Sequence, residues 1–145
     1  MDFSEKGVYC LIFENQECEL EIGKKGEFSF PSGFHVYIGS ALGTGGFKRV
    51  KRHMDFSRNK DKNPRWHVDY LHSSSSFRLV SAVCAPTLSR LECELASRIG
   101  ESFVPGFGCT DCTCRSHLFY RKENPLPEIT EVFENLGLSA FVIEL

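Results

Sequence analysis

Long apolar runs are missing from this chain: none approaches the roughly 20 residues that a membrane-spanning helix requires, and no membrane association is expected. No secretory leader is expected either, because "MDFSEKGVYCLIF" has no basic stretch ahead of its short apolar run and no small-residue cleavage site behind it. A cytoplasmic protein is therefore expected. The glycine-rich segment "LGTGG" (42–46) has neither the lysine of a Walker loop nor the spacing of a dinucleotide fingerprint, which excludes both nucleotide motifs. No internal repeat or linker divides the 145 residues, a length that buries one core and is too short for two. The cysteines cannot all pair within the chain, since there are seven. A net charge of only −2 gives no overall pull toward nucleic acid.

The composition, 41% apolar and 25% charged, is that of a folded domain rather than a disordered one. "GVYCLIFEN" (7–15) is apolar on both faces, as a strand in the middle of a sheet is. "ECELEIG" (17–23) alternates and runs into the turn "GKKGE", and "EFSFPSG" is a short strand interrupted by Pro31. In "FHVYIGS" (34–40), Phe34, Val36 and Ile38 face one way and His35, Tyr37 and Gly39 the other. A helix is predicted from Thr44 or Gly45 to residue 57, with Phe47, Val50 and Met54 as its buried stripe and Arg49, Arg52 and His53 opposite. "FRLVSAVCAP" (77–86) reads as a strand. "TLSRLECELASRIG" reads as a helix capped by Thr87 and ended by Gly100, with Leu88, Leu91, Leu95 and Ile99 inward. A strand at "HLFYR", a helix at "EITEVFENLG" and a closing strand at "SAFVIEL" complete one α+β domain over residues 1–145, with a core at 7–100 and a Cys/His-rich C-terminal extension at 101–145.

Charge is unevenly spread. Residues 47–65 hold eight Lys/Arg against two Asp, on a body that is otherwise acidic, the pattern of a strip that binds a polyanion. Lys48, Lys51, Arg52 and Arg65 are candidate contacts to a nucleic-acid backbone. In "RWHVDYL", Trp66 offers a stacking surface and His67 a phosphate contact, although a buried tryptophan beside a satisfied histidine accounts for the same residues. His67 and Asp69 share a face only if this segment is extended. Cys10, Cys18, Cys84 and Cys93 sit in apolar segments and read as buried thiols. Cys109, Cys112, Cys114 and His117 in "CTDCTCRSH" supply the ligand types of a structural Zn2+ site. Packed thiols and redox chemistry are the other readings, because common zinc sites split their ligands into two separated pairs.

Taken in order, "GVY" (7–9), "YIG" (37–39) and "FKRVKRH" (47–53) resemble the GIY-YIG nuclease family, with a likeness that runs from residue 7 to about 100. "WHVDYL", "LECELA" and "GFGCTDCTCRSHLFY" resemble an archaeal and bacterial branch of that family, sometimes fused to an endonuclease III-type DNA glycosylase. The resemblance implies a small, mainly antiparallel central sheet flanked by helices. It implies a divalent-metal-dependent endonuclease that hydrolyses DNA phosphodiester bonds, in repair or on structured DNA, with a glycosylase of that type as an expected partner.

The resemblance also assigns roles. Tyr9 would be the general base, which needs help because a free phenol has a pKa near 10. Tyr37 would orient the attacking water or the scissile phosphate. Arg49 would hold two phosphate oxygens in its planar fork, and His53, one turn on, would orient or relay a proton. The family's Mg2+ or Mn2+ ligand is a glutamate on a later helix, and "LECEL" offers two. Glu92 projects onto the edge of the buried stripe and Glu94 away from it; a carboxylate among core positions is costly unless paired or liganded, so Glu92 is expected. The asparagine that often completes the family's active site is not identifiable. Two rival readings are a non-catalytic nucleic-acid-binding module and a zinc-stabilised interaction domain.

Overall fold

The computed structural model describes residues 2–108 and 116–145. Its elements in chain order are β1 (Gly7–Asn15), β2 (Cys18–Glu21), β3 (Glu27–Phe30), β4 (Gly33–Ala41), α1 (Lys48–Asn59), α2 (His67–Ser73), β5 (Phe77–Pro86), α3 (Glu92–Ile99), β6 (Leu118–Arg121), α4 (Leu126–Asn135) and β7 (Phe141–Glu144). Five strands form one antiparallel sheet in the order β6-β4-β1-β5-β7, while β2 and β3 make a separate hairpin. The chain is an α+β domain, as its sequence pattern leads one to expect.

The absence of a polar face on β1 has a simple cause. Both its faces are covered: Tyr9, Leu11 and Phe13 join one cluster with residues of α1, α2 and the hairpin, and Val8, Cys10 and Ile12 join another with residues of α3 and α4. The sheet is therefore the middle of three layers. A bulge keeps β5 in step with this plan. Ile12 pairs with Ser81 and Phe13 with Leu79, so Val80 is left over and the alternation flips. Leu79, Ala82 and Cys84 then all face the α1/α2 side.

Residues beyond 100 supply α4 and both edge strands of the sheet, β6 against β4 and β7 against β5.

Two helices begin later than the sequence pattern predicts. Helix α1 starts at Lys48, not at 44 or 45, because Gly45 and Gly46 have φ of 96° and 56°, which a right-handed helix cannot contain. The Phe47 amide donates to the Glu5 carbonyl at 2.9 Å and pins this turn to the start of the chain. Helix α3 starts at Glu92. The Thr87 amide donates to the Lys6 carbonyl at 3.1 Å, and the Thr87 hydroxyl accepts from the Ser89 amide at 3.1 Å. That local turn spends the predicted cap before any helix forms. Leu88, predicted to face inward, is 84% exposed, whereas Leu95 and Ile99 are buried as predicted.

Candidate active site

Register brings the two tyrosines together. Tyr9 on β1 pairs with Gly39 on β4, and Leu11 with Tyr37, so both phenols lie on the α1/α2 face as diagonal neighbours. Gly39 is what lets Tyr9 lie there: a Cβ at this position would collide with the phenol ring and its oxygen. Tyr9 is only 2% exposed, yet it lines an open cleft of about 340 Å³ together with Tyr37, Gly39, Arg49, His53, Arg65, Trp66 and His67.

Helix α1 delivers two predicted residues to different depths. Arg49 is exposed at the rim, where Nη1 donates to the Ser40 carbonyl at 2.8 Å and the guanidinium lies 5.2 Å from the Trp66 ring centroid. His53 was expected on the same outer face, but it is 1% exposed: Phe47 and Val50 are buried as predicted, Met54 is only half-buried, and His53 and Phe56 complete the inner stripe. The core accepts this imidazole because both its nitrogens are satisfied: Nε2 lies 3.0 Å from Tyr9 Oη and Nδ1 lies 2.9 Å from His72 Nε2. A stripe read from apolar residues alone misses a histidine of this kind.

Helix α2 explains why Arg52 is not a free cation. Asp69 is fully buried, and its carboxylate accepts from Arg52 Nη1 and Nη2 at 3.3 and 3.2 Å and from the amides of Arg65 and Trp66 at 2.9 and 3.1 Å. The Trp66 bond also caps the helix. Because the segment is helical, Asp69 turns inward while His67 lines the cleft and its Nδ1 accepts from the Gly108 amide at 3.4 Å. Trp66 is 40% exposed and carries Arg52 over its ring at 4.4 Å, so it is a rim residue rather than a core one. Lys48 and Lys51 stand exposed on α1.

A second lobe of the cleft, about 410 Å³, shares Tyr37, Gly39, Ser40, Arg49 and Gly108 with the first and adds Arg90, Glu92, Cys93 and His117. The two lobes form one groove, with Tyr9 and His53 at one end and Glu92 at the other. Glu94 lies outside it, paired with Arg98 at 3.7 Å across one helical turn. Glu92 makes no ion pair among the described residues and opens into a space that can hold a hydrated cation. A single carboxylate with retained waters suits Mg2+ or Mn2+, so the residue fits the expected ion.

His117 is buried beside Glu92, its backbone tied to Phe107 and Ile38. Cys109, Cys112 and Cys114, the other expected zinc ligands, lie outside the described residues. Cys10 and Cys84 are buried free thiols, as expected; Cys18 is free but only half-buried, and Cys93 is exposed in the first turn of α3 and disulfide-bonded. Two residues before the buried Leu95, it lies about 200° around α3 from that side chain and so lines the groove instead of the core.

Electrostatics set the protonation states. Burial pushes the Tyr9 phenol well above its usual range, and the opposing pull of Arg49 and Arg52 does not restore it. Tyr37 is raised to about 12, again chiefly by burial. Burial, then the neighbouring His72, holds His53 well below the normal imidazole range, and burial brings His72 down to about 3. Asp69 stays below the usual carboxylate value: burial raises it, but the Arg52 bonds and the two amides outweigh that. At neutral pH the groove floor is thus a protonated phenol on a neutral imidazole pair, beside a buried Asp69–Arg52 ion pair.

His53, Asp69 and His72 offer donor atoms within 4.8 Å of one another. As a metal centre they fit poorly, since Asp69 already accepts four hydrogen bonds and the Arg52 guanidinium would repel a cation. His72 was not singled out from the sequence. The signal was available: Asp69 and His72, three apart, share the inward stripe of α2 with Val68 and Leu71.

One family model, described as domain of unknown function DUF123, matches residues 8–138. No curated protein matches the chain, and no solved structure does.

Proposed function

We propose, for a chain that belongs to the DUF123 family, that it is a divalent-metal-dependent endonuclease of the GIY-YIG type hydrolysing DNA phosphodiester bonds. The observation that carries this reading is the convergence of Tyr9, Tyr37, Arg49, His53 and Glu92, drawn from β1, β4, α1 and α3, around one groove. Arg49 and Glu92 fill no core there, and Tyr9 and His53 bring polar atoms to a depth that apolar side chains would fill without them.

The chemistry follows from what each group can do. Tyr9 is too buried to act as a phenolate, so it accepts a proton from water only by giving its own to His53 Nε2, 3.0 Å away. Tyr37, between the two lobes, donates to the phosphate or the incoming water. Arg49, anchored through Nη1, presents its remaining donors to phosphate oxygens at the rim. When bound at Glu92, Mg2+ or Mn2+ supplies charge for the departing oxygen. Lys48, Lys51 and Arg65 contact the backbone without reading sequence, so affinity should fall steeply with salt. Arg52 is committed to Asp69 and contributes field rather than a free fork. Trp66 at the rim stacks on a base. Action in repair or on structured DNA, partnership with an endonuclease III-type glycosylase, a structural Zn2+ and a cytoplasmic setting belong to the same proposal.

One observation favours a rival reading, a binding module without catalysis: the phenol of Tyr9 is itself a core residue. Linear and branched DNA incubated with the protein in Mn2+ or EDTA separates the two. Metal-dependent nicking should fall by about 100-fold or more in Arg49→Ala and in Glu92→Gln. Wild-type protein that binds DNA but leaves it intact in Mn2+ establishes the module instead.

A further inference from the structure

The hydrogen-bonded array at the groove floor does not end at His53. His53 Nδ1 lies 2.9 Å from His72 Nε2, the ring centroids are 5.0 Å apart, and both rings are buried. The far nitrogen, His72 Nδ1, is buried with no hydrogen-bond partner among the described residues. An orphaned buried polar atom costs about 1–3 kcal/mol, and apolar side chains of the same volume would fill this space without it. Phe13 and Phe56, which pack against the His72 ring, show that the neighbourhood is suited to such a filling.

We propose that His72 is the inner terminus of a proton relay that starts at Tyr9 and runs through His53. In the resting array Tyr9 Oη–H donates to His53 Nε2, His53 Nδ1–H donates to His72 Nε2, and His72 carries its own hydrogen on Nδ1. When water attacks phosphorus, the water O–H bond breaks and a new Tyr9 O–H bond forms. The original Tyr9 proton passes to His53 Nε2, and the His53 Nδ1 proton passes to His72 Nε2. The hydroxide oxygen bonds to phosphorus and the P–O bond to the leaving oxygen breaks. His53 ends neutral and His72 ends as imidazolium. The reverse sequence returns the proton to the groove once the leaving oxygen has departed, so no oxidant or co-reactant is needed.

The charges around the two rings favour this direction. Asp69 favours a positive charge on His53, but Arg52 and Arg49 on its own helix both disfavour one. His72 has the buried carboxylate of Asp69 on its own helix as its strongest charged neighbour, which favours a positive charge. Arg52 from α1 and Lys60, whose Nζ donates to the His72 carbonyl at 2.6 Å, act against it more weakly. A proton moved one imidazole further thus escapes the repulsion of Arg49 and keeps the pull of Asp69. His72 touches no substrate and is a positioning residue, acting through His53.

The relay rests on the nuclease reading for its reaction, but its geometry can be tested without DNA. In protein labelled with 15N at histidine, long-range spectra at pH 7 should show both rings neutral, His53 protonated on Nδ1, and a coupling from that nitrogen to His72 Nε2. His53 protonated on Nε2 instead overturns the resting array. So does stoichiometric Zn2+ or Cd2+ uptake that shifts both rings, because it makes the pair a metal site. Two variants then separate relaying from holding. His72→Gln keeps an acceptor for His53 Nδ1–H but cannot take the proton; it should preserve the His53 tautomer and KM while lowering kcat about 10- to 100-fold and changing its pH profile. Wild-type kcat in that variant overturns the relay and leaves a purely structural role. His72→Phe should lose both tautomer control and rate. Wild-type protein that shows the coupling but cuts no DNA removes the nuclease reading and leaves the hydrogen-bonded array standing.

Discussion

The two faces of the central sheet are filled by different chemistry. The α3/α4 face is packed by Val8, Ile12, Val36, Ile38, Leu95, Ile99, Ile129 and Phe133, with Ser81 as a buried polar exception. The α1/α2 face buries Asn15, His35, His53, Asp69 and His72 among its phenylalanines. Such groups are tolerated only when paired, and most are: Asn15 Oδ1 lies 2.8 Å from His35 Nδ1, and Asp69 takes four hydrogen bonds. The apolar face contributes stability through area alone, while the polar face holds a geometry. The groove opens on the polar face.

Acidification should break the contrast most strongly. His35 and His72 are held neutral by burial, with pKa values down to about 4 and about 3. In the unfolded chain both titrate near 6.5, so between those values the unfolded state binds more protons and stability falls as pH falls. Each histidine withdraws up to about 1.4 kcal/mol per pH unit, on the order of 5 kcal/mol for the pair between pH 6 and pH 4. Urea unfolding at stepped pH measures this, and His35→Phe should remove its share of the acid loss while the wild-type slope persists at His72. An acid slope unchanged in that variant means that carboxylates, not the polar face, govern acid stability.

Truncation on the apolar face comes next. Phe133→Ala leaves a cavity between α4 and the cluster it shares with β5 and α3 and should cost about 3–5 kcal/mol by denaturant titration, with DNA nicking per folded molecule unchanged. Loss of nicking at full folding would show that the two faces are coupled. The smallest stability effect and the clearest functional one belong to Gly39→Ala. Its methyl group meets the Tyr9 phenol, so overpacking of about 1–3 kcal/mol should accompany loss of nicking and a shifted Tyr9 resonance. Wild-type nicking in this variant would mean that the phenol's position does not matter.

Much of the fold was legible because burial writes a period into the chain. The two-faced apolar run of β1, the alternation in β4 and the strand ending at Pro86 all appear where the pattern places them. The helix starts did not, since "LGTGG" and "TLSR" look compatible with helix and only the contacts of Glu5 and Lys6 decide otherwise. Tyr9, Tyr37, Arg49 and His53 follow from their motifs and Glu92 from its helical face, but depth was not legible: His53 was expected outside and lies inside. The inward phase of His72 with Val68 and Leu71 marks it as buried, but nothing local marks His53 as its partner.

The sequence by itself determined which residue types are available and along which faces they recur, because side-chain direction follows local backbone period. Tertiary structure alone decided which of them meet. A hydrogen bond between Tyr9 and His53, or between His53 and His72, spans 44 and 19 residues and exists only where strand register and helix packing bring two atoms within 3 Å or so. No local preference encodes such a distance; the packing of α1 and α2 over β1 does.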